Sequence, residues 1–295
     1  MEIIVATAKR LGYCPNAAGR MLSSRKSRII GIMLPSPEIY FYAALSTLLQ
    51  AELYERGYSA FFMFWNAITD TAKVEKANEI LISHGVDGII ACEFQDSRLD
   101  ARVPTVVYGT KNPAFDSVFF NEYECFAGTV EMLRAKGYRN IAYVGHAGTA
   151  RARGYLAGLE RVGFRSRKNC IYYEEDKAES GVAAVRKFLS LKHLPDAVIC
   201  SNDNVAIAAM FEAVRHGIEC PGSMAFVGCD DIEQASFSFP SLSSHSMPPA
   251  LAATTLIEML FNRMEAPDAP VSYKCLDMKM ILRESIGEKH NVPTI

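Results

Sequence analysis

What this sequence lacks narrows its chemistry first. Its eight cysteines include no pair at CxxC spacing and its six histidines no HxxxH pair, so no structural metal is expected. Several cysteines sit inside apolar runs such as "DAVICS", which fits buried thiols in a reducing compartment better than a disulfide framework. The longest apolar runs, such as "AFFMFW", fall far short of the ~20 residues that span a bilayer. The opening "MEIIVATAKRLGY" has neither a long apolar core nor a small-residue cleavage site. A cytoplasmic protein without a membrane partner is expected.

Catalytic signatures are missing too. There is no GxSxG elbow, no Walker loop, and no GxGxxG after a strand pattern. "VGHAGTARARG" has glycines after an apolar run, but not at the dinucleotide spacing. Asp230 and Asp231 follow "FVGC". Adjacent acids after a strand point different ways, so one is expected to line a site and the other to cap the next helix. Neither an enzyme nor a cofactor is expected.

What is present is ordinary in bulk and uneven in detail. The 295 residues are about two domains' worth, and 49% apolar with 22% charged is usual for a globular chain. The formal net charge is −2. Residues 1–30, however, hold Lys9, Arg10, Arg20, Arg25, Lys26 and Arg28 against Glu2 alone, a net +5 that leaves −7 on the remainder. A basic head on an acidic body fits contact with a polyanion.

From Ile29 onward, short apolar runs alternate with amphipathic helical patterns. "RIIGIML", "YSAFFMFW", "VDGIIAC", "VPTVVYG" and "DSVFF" form one series, and "NIAYVGH", "CIYYE", "DAVICS" and "MAFVGCD" a second. The intervening helices end at glycines such as Gly57, Gly85 and Gly137, as left-handed caps do. In the second series the strand centres recur roughly every 28 residues, the length of one βα unit. Strands alternating with helices predict parallel sheets with right-handed crossovers. Two series predict two doubly wound α/β lobes facing one cleft, with ligands beyond the carboxyl ends of the strands.

Seven phrases in order carry a resemblance. They are "LGYCPNAAGRMLSSRKSRIIGIMLP", "GVDGII", "KGYRNIAYVG", "ARARGYLAGL", "CSNDNVAIAA", "VGCDDIE" and "LRES". Together they resemble the lactose-repressor/galactose-repressor family of transcription regulators over almost the whole chain. The resemblance implies a fold similar to periplasmic sugar-binding proteins, an N-terminal helix-turn-helix that binds operator DNA, and a dimer or tetramer. It also implies an effector in the cleft that changes operator affinity. Lobe boundaries are expected at 29–137 with 248–272 and at 138–247 with 273–285, after a DNA-binding segment over 1–28.

In that segment "NAAGRMLSS" resembles the family's hinge helix, which folds as a pair in the minor groove. Asn16 would cap it, Arg20 would reach phosphate or groove edge, and Leu22 would be wedged between base pairs, kinking the duplex. Gly19 is a departure that costs the helix ~1 kcal/mol against alanine. "EIIVATAKRLGY" resembles the third helix of the family's DNA-binding domain, so a remnant of that domain without its major-groove reader is expected.

The family's ligand contacts carry over to several positions. Arg151 has a guanidinium fork for ring or hydroxyl oxygens. Asn202 offers a donor and an acceptor, or else caps a helix. Asp230 would take vicinal hydroxyls, and Phe41 would form an apolar wall or else a core contact. Tyr40, beside Phe41, stands in an Ile39-Tyr40 pair that replaces a common Asn-Pro turn. Asp176 falls where some members have an aromatic platform, and Cys229 replaces a common aromatic. With Arg151 the lone cation placed among acids, a neutral sugar or nucleoside-like effector is expected. Arg151 and Asp230 are expected near Asn202, with water or a small polyol between them.

The alternatives are a sugar-binding protein with no DNA role, such as a transport component, and a metabolic enzyme. The absent signal sequence and the basic hinge weigh against the first, and the absent catalytic set against the second. The regulator reading predicts that this chain binds DNA weakly and without base preference through Arg20, Arg25, Lys26 and Arg28. Anisotropy with duplexes of unrelated sequence should show affinity falling steeply with salt. Tight, salt-resistant binding to one sequence would contradict it.

Overall fold

The computed structural model describes Arg10 and residues 26–37, 39–65, 71–92, 99–100, 102–165, 167–175 and 177–288. Asn16, Arg20 and Leu22, with the hinge phrase around them, lie outside the described residues, as does Asp176. The chain divides into two compact units. The first runs to Phe119 and includes Pro249–Lys274; the second is Phe120–Pro248 with the residues from Cys275 on.

In the first unit, strands and helices alternate as β1 (Ile29–Pro35), α1 (Tyr40–Glu55), β2 (Ser59–Trp65), α2 (Thr71–Ser83), β3 (Gly88–Cys92), β4 (Thr105–Tyr108) and β5 (Asp116–Phe120). The second unit follows with α3 (Glu122–Ala135), β6 (Ile141–Gly145), α4 (Ala150–Arg161), β7 (Ile171–Tyr173), α5 (Ala178–Leu189), β8 (Ala197–Cys200) and α6 (Asp203–Arg215). It continues through β9 (Ala225–Asp230), α7 (Glu233–Phe237) and β10 (Ser243–Ser246). Helix α8 (Pro249–Glu265) returns to the first unit, and β11 (Tyr273–Leu276) and β12 (Lys279–Ile281) end the series.

The sheets have the orders β11-β5-β4-β3-β1-β2 and β12-β10-β9-β8-β6-β7. Strand β1 pairs in parallel with β2 and β3, and β6 with β7 and β8; β10 and β12 are antiparallel. The expected doubly wound parallel architecture is therefore present in each unit. Its cause is local: strands such as Ile29–Pro35 and Gly88–Cys92 are apolar on both faces, so both faces must be covered. Under α5 and α6 the cover consists of Val144, Val185, Phe188, Val198, Val205 and Phe226. Gly57, Gly85 and Gly137 end their helices at φ +74°, +67° and +99°, as expected of left-handed caps.

The end of the basic head is tied into the first sheet by Asp87 of "GVDGII". Its carboxylate accepts from the Ser27 amide at 2.8 Å, the Ser27 hydroxyl at 2.9 Å and the Arg28 amide at 3.0 Å. Arg28 itself sits at φ +56°, a conformation uncommon for a side-chain-bearing residue.

The units exchange chain at 119/120, 248/249 and 274/275. The first exchange precedes α3, whereas the sequence reading placed it at 137/138. Helix α3 belongs to the second unit because it packs on α4 at backbone distance. A Cβ on Gly154 would lie 2.2 Å from the Tyr123 carbonyl oxygen, and one on Gly158 2.6 Å from that of Ala127. Gly128, also in α3, faces nothing within 4 Å.

That contrast predicts opposite effects of one substitution. Gly158→Ala should destabilise by ~1–3 kcal/mol through overpacking, despite the ~1 kcal/mol that alanine gains in a helix. Gly128→Ala should stabilise by a few tenths to ~1 kcal/mol. Urea unfolding of both variants checks this, and equal effects would refute the close α3–α4 approach.

Candidate functional site

In the second unit the carboxyl ends of neighbouring parallel strands gather the residues singled out above. Strand β8 leads into Ser201 and Asn202, β9 ends on Asp230, and β10 is followed by Met247. Helix α4, after β6, brings Arg151 as its second residue. Thr149 is the N-cap of α4; its hydroxyl accepts from the Ala152 amide at 3.2 Å.

An arginine at a helix N-terminus meets the positive end of the dipole, so it needs nearby acid. Glu122, the first residue of α3, supplies it. Its Oε1 accepts from Arg151 Nε at 3.0 Å and from Nη2 at 2.8 Å. Nη1 donates to the Ser201 carbonyl, and Nη2 contacts Met247 Sδ at 3.2 Å. At least four of the five guanidinium protons are thus engaged within the protein. The Arg151 side chain is 17% exposed and that of Asp230 10%, with Nη2 and Oδ1 3.8 Å apart. The two side chains therefore face each other at ion-pair separation.

Asn202 has the predicted place and the capping role. As N-cap of α6 its Oδ1 accepts from the Val205 amide at 2.9 Å. Asp230 has φ +103° and Asp231 φ +52°. Two successive non-glycine residues at positive φ are strained, and such strain clusters at functional sites. Asp231 does not cap α7, whose N-cap is Ile232 without a side-chain bond. It pairs instead with Arg283 of "LRES" at 2.7 Å.

Phe41 and Tyr40 belong to the first unit. Phe41 is 5% exposed, stacked on Tyr108 at 5.4 Å and edge-on to Tyr42. That is the core contact weighed in the sequence reading. Tyr40, at the start of α1, is exposed.

Behind Arg151, His245 of β10 is buried and stacked on Phe126 at 5.3 Å. The Thr129 hydroxyl donates to the Cys125 carbonyl at 2.9 Å, so it accepts from His245 Nε2 at 2.7 Å. Burial, reinforced by the Arg151 charge, pushes the imidazole pKa down to about 4, so the ring is neutral. Beside it, Cys229 is buried with Sγ 3.6 Å from Met247 Sδ.

The sequence reading missed Glu122 and Met247. "NEYE" marks a helix start with acid in its first turn, but nothing in the spacing links Glu122 to an arginine 29 positions later.

The Arg151–Glu122 contact predicts coupled stability. Both side chains are largely shielded, so Arg151→Ala should cost ~2–4 kcal/mol by leaving carboxylates unpaired. Adding Glu122→Gln should recover part of that loss, giving ~1–2 kcal/mol of coupling in a double-mutant cycle. Additive effects in chemical denaturation would make the pair a solvated surface contact.

Known proteins resemble this chain along most of its length. The sequence profile of the periplasmic binding protein-like domain matches residues 130–286. The HTH-type transcriptional repressor PurR of Glaesserella parasuis serovar 5 is 27% identical, covering 94% of this chain and 86% of that protein. The PurR of Yersinia pestis bv. Antiqua is 26% identical over 96% and 87%. Among solved structures, the Lac repressor bound to ONPG superposes with a TM-score of 0.87 at 20% identity, over 97% and 90% of the two chains. The transcriptional regulator CelR in complex with cellobiose gives 0.78 at 22%, over 96% and 90%.

Proposed function

The chain belongs to the periplasmic binding protein-like family, within its lactose-repressor/galactose-repressor group of transcriptional regulators, and from that premise we propose that it is the effector-binding and dimer-forming region of a cytoplasmic repressor. Its operator affinity would be set by a small neutral ligand, sugar-like or nucleoside-like, at the carboxyl ends of the second sheet.

The observation that carries this reading is the grouping of Arg151 and Asp230 at 3.8 Å at strand ends next to Asn202, with Asp230 in a strained conformation. Two carboxylates, Glu122 and Asp230, flank one guanidinium. The local charge therefore disfavours an anionic ligand and suits hydroxyl, amide or ring-nitrogen groups. PurR is named as a repressor, and the Lac repressor has been solved as a dimer bound to operator. By analogy, Asn16, Arg20 and Leu22 are assigned to the operator contact.

Exposed aromatics support a homodimer. In the second unit Phe237 and Phe239, two residues apart, are both open to solvent, Phe239 at 93%, and they are assigned to the contact with a second copy.

A duplex of arbitrary sequence, bound through the basic head at low salt, provides the DNA probe. Calorimetry against ribose, galactose, cellobiose, adenosine and guanosine provides the ligand. One neutral compound should bind and change DNA affinity about 5- to 150-fold, the usual ~1–3 kcal/mol of coupling. Sedimentation at tens of micromolar should show a dimer that Phe239→Asp weakens. A monomer, or a ligand that leaves DNA affinity unchanged, would overturn the reading.

A further inference from the structure

Beneath the candidate ligand residues lies a carboxylate with no solvent contact. Asp203, the first residue of α6, is 0% exposed. Its Oδ1 accepts from the Ser244 hydroxyl of β10 at 2.6 Å, and its Oδ2 from the Ile232 amide at 2.8 Å. Ser244 Oγ in turn accepts from the Asp231 amide at 3.1 Å. One carboxylate thereby holds both bonds that fix the turn after β9. That turn contains the successive positive-φ residues Asp230 and Asp231. The backbone has been cut away to let Asp203 in: a Cβ on Gly228 would stand 2.0 Å from its Oδ1. In sequence, Asp203 directly follows Asn202, the cap of α6.

We propose that Asp203 is a positioning residue for the ligand site, locking the strained turn that presents Asp230 to the helix start that presents Asn202. The inference rests on the ligand-site reading above. A lone capping acid at the start of α6 would need only its own helix's amides. Asp203 instead spends both oxygens on other segments, while Asn202 does the capping.

The same lock has a second bonded state. Burial pushes the Asp203 pKa up to about 7, against the Ser244 and Ile232 hydrogen bonds, which favour the anion; Asp231 pushes it further up and Arg283 opposes. The titratable and charged groups facing it are Asp231, Arg283 and the buried Cys229 thiol. When Asp203 takes a proton, its hydroxyl can donate to Ser244 Oγ, which reverses that bond while the Ile232 amide keeps its acceptor. The turn is thus held differently on the two sides of neutrality. Asp203→Asn fixes the protonated pattern, because its amide donates to Ser244 and its oxygen accepts from Ile232. Ser244→Ala removes one arm of the lock with little change in volume.

Amide and carboxyl NMR of the full chain between pH 5 and 9 tests the assignment without any ligand. The Asn202, Asp230 and Ile232 amides should shift together with the Asp203 carboxyl midpoint. Asp203→Asn should abolish that shared titration, and Ser244→Ala should move all three amides at constant pH. Calorimetry with the same five sugars and nucleosides adds the functional arm: for any that binds, Ser244→Ala should weaken affinity at least tenfold, and Asp203→Asn should flatten its pH dependence. If none binds, the ligand reading fails and the NMR arm still decides the positioning role. Amides of Asn202 and Asp230 that ignore both substitutions would overturn the proposal.

Discussion

A carboxylate taken out of water must be met by donors, and at four places among the described residues a carboxylate ties distant segments together. Asp116, at the start of β5, illustrates the constraint. Burial alone would raise its pKa, but Arg263 and Ser272 outweigh it and hold it below the usual range. Arg263 donates from Nε and Nη2 to the two Asp116 oxygens at 2.8 and 2.9 Å, and its remaining donors reach the carbonyls of Pro267, Ala269 and Pro270. One ion pair therefore fixes the segment by which α8 returns to the sheet edge. Asp87 does the same for the basic head, Glu122 for the start of α4, and Asp203 for the turn after β9. In each case the bond partners come from elements far apart in sequence, so the acid substitutes for apolar contact at places where the chain must turn.

This also explains what was legible in the sequence. Doubly covered strands are apolar throughout, so "RIIGIML" and "DAVICS" announced themselves, and the glycines after the helices marked their ends. Strand β10 did not. Its residues are "SSHS", yet Ser243, Ser244 and His245 are all buried. The strand belongs in the sheet because its polar groups have specific partners. Ser243 bonds to Arg283 and Ser285, Ser244 to Asp203, and His245 to Thr129. Hydropathy has no way to register a strand whose burial depends on matched donors. The early first exchange was hidden for a related reason. Gly154 and Gly158 set the α3–α4 approach, but read alone they are only two glycines in a helix.

At the candidate site, residue position was legible and residue duty was less so. Arg151, Asn202 and Asp230 lie at strand ends as the topology requires. Their partners could not be inferred from spacing, because an ion pair between two helix starts has no period. Asn202 serves the helix with one atom, and Arg151 gives most of its protons to the scaffold. An arginine so committed fixes the direction and charge of the acids around it, Glu122 through two hydrogen bonds and Asp230 through its charge at 3.8 Å.

Two buried groups beside this site respond to acid in opposite senses. His245 has a pKa lowered to about 4 from 6.5. The unfolded chain therefore takes up its proton first, and the stability it contributes above pH 6.5 is lost as pH falls toward 4. Asp203 has a pKa raised to about 7 from 3.8. The folded chain binds its proton first, and the stability it contributes at low pH is lost as pH rises through 7. Between pH 4 and 6.5 the two slopes oppose each other, so a flat overall stability curve is consistent with strong titration at both sites. They meet at neighbouring positions of β10: Ser244, bonded to Asp203, is followed at once by His245. A strand of three buried polar residues thus joins the acid beneath Asp230 to the imidazole behind Arg151. The polar sequence of β10, next to the edge strand β12, thus matches partners on both sides of the candidate site.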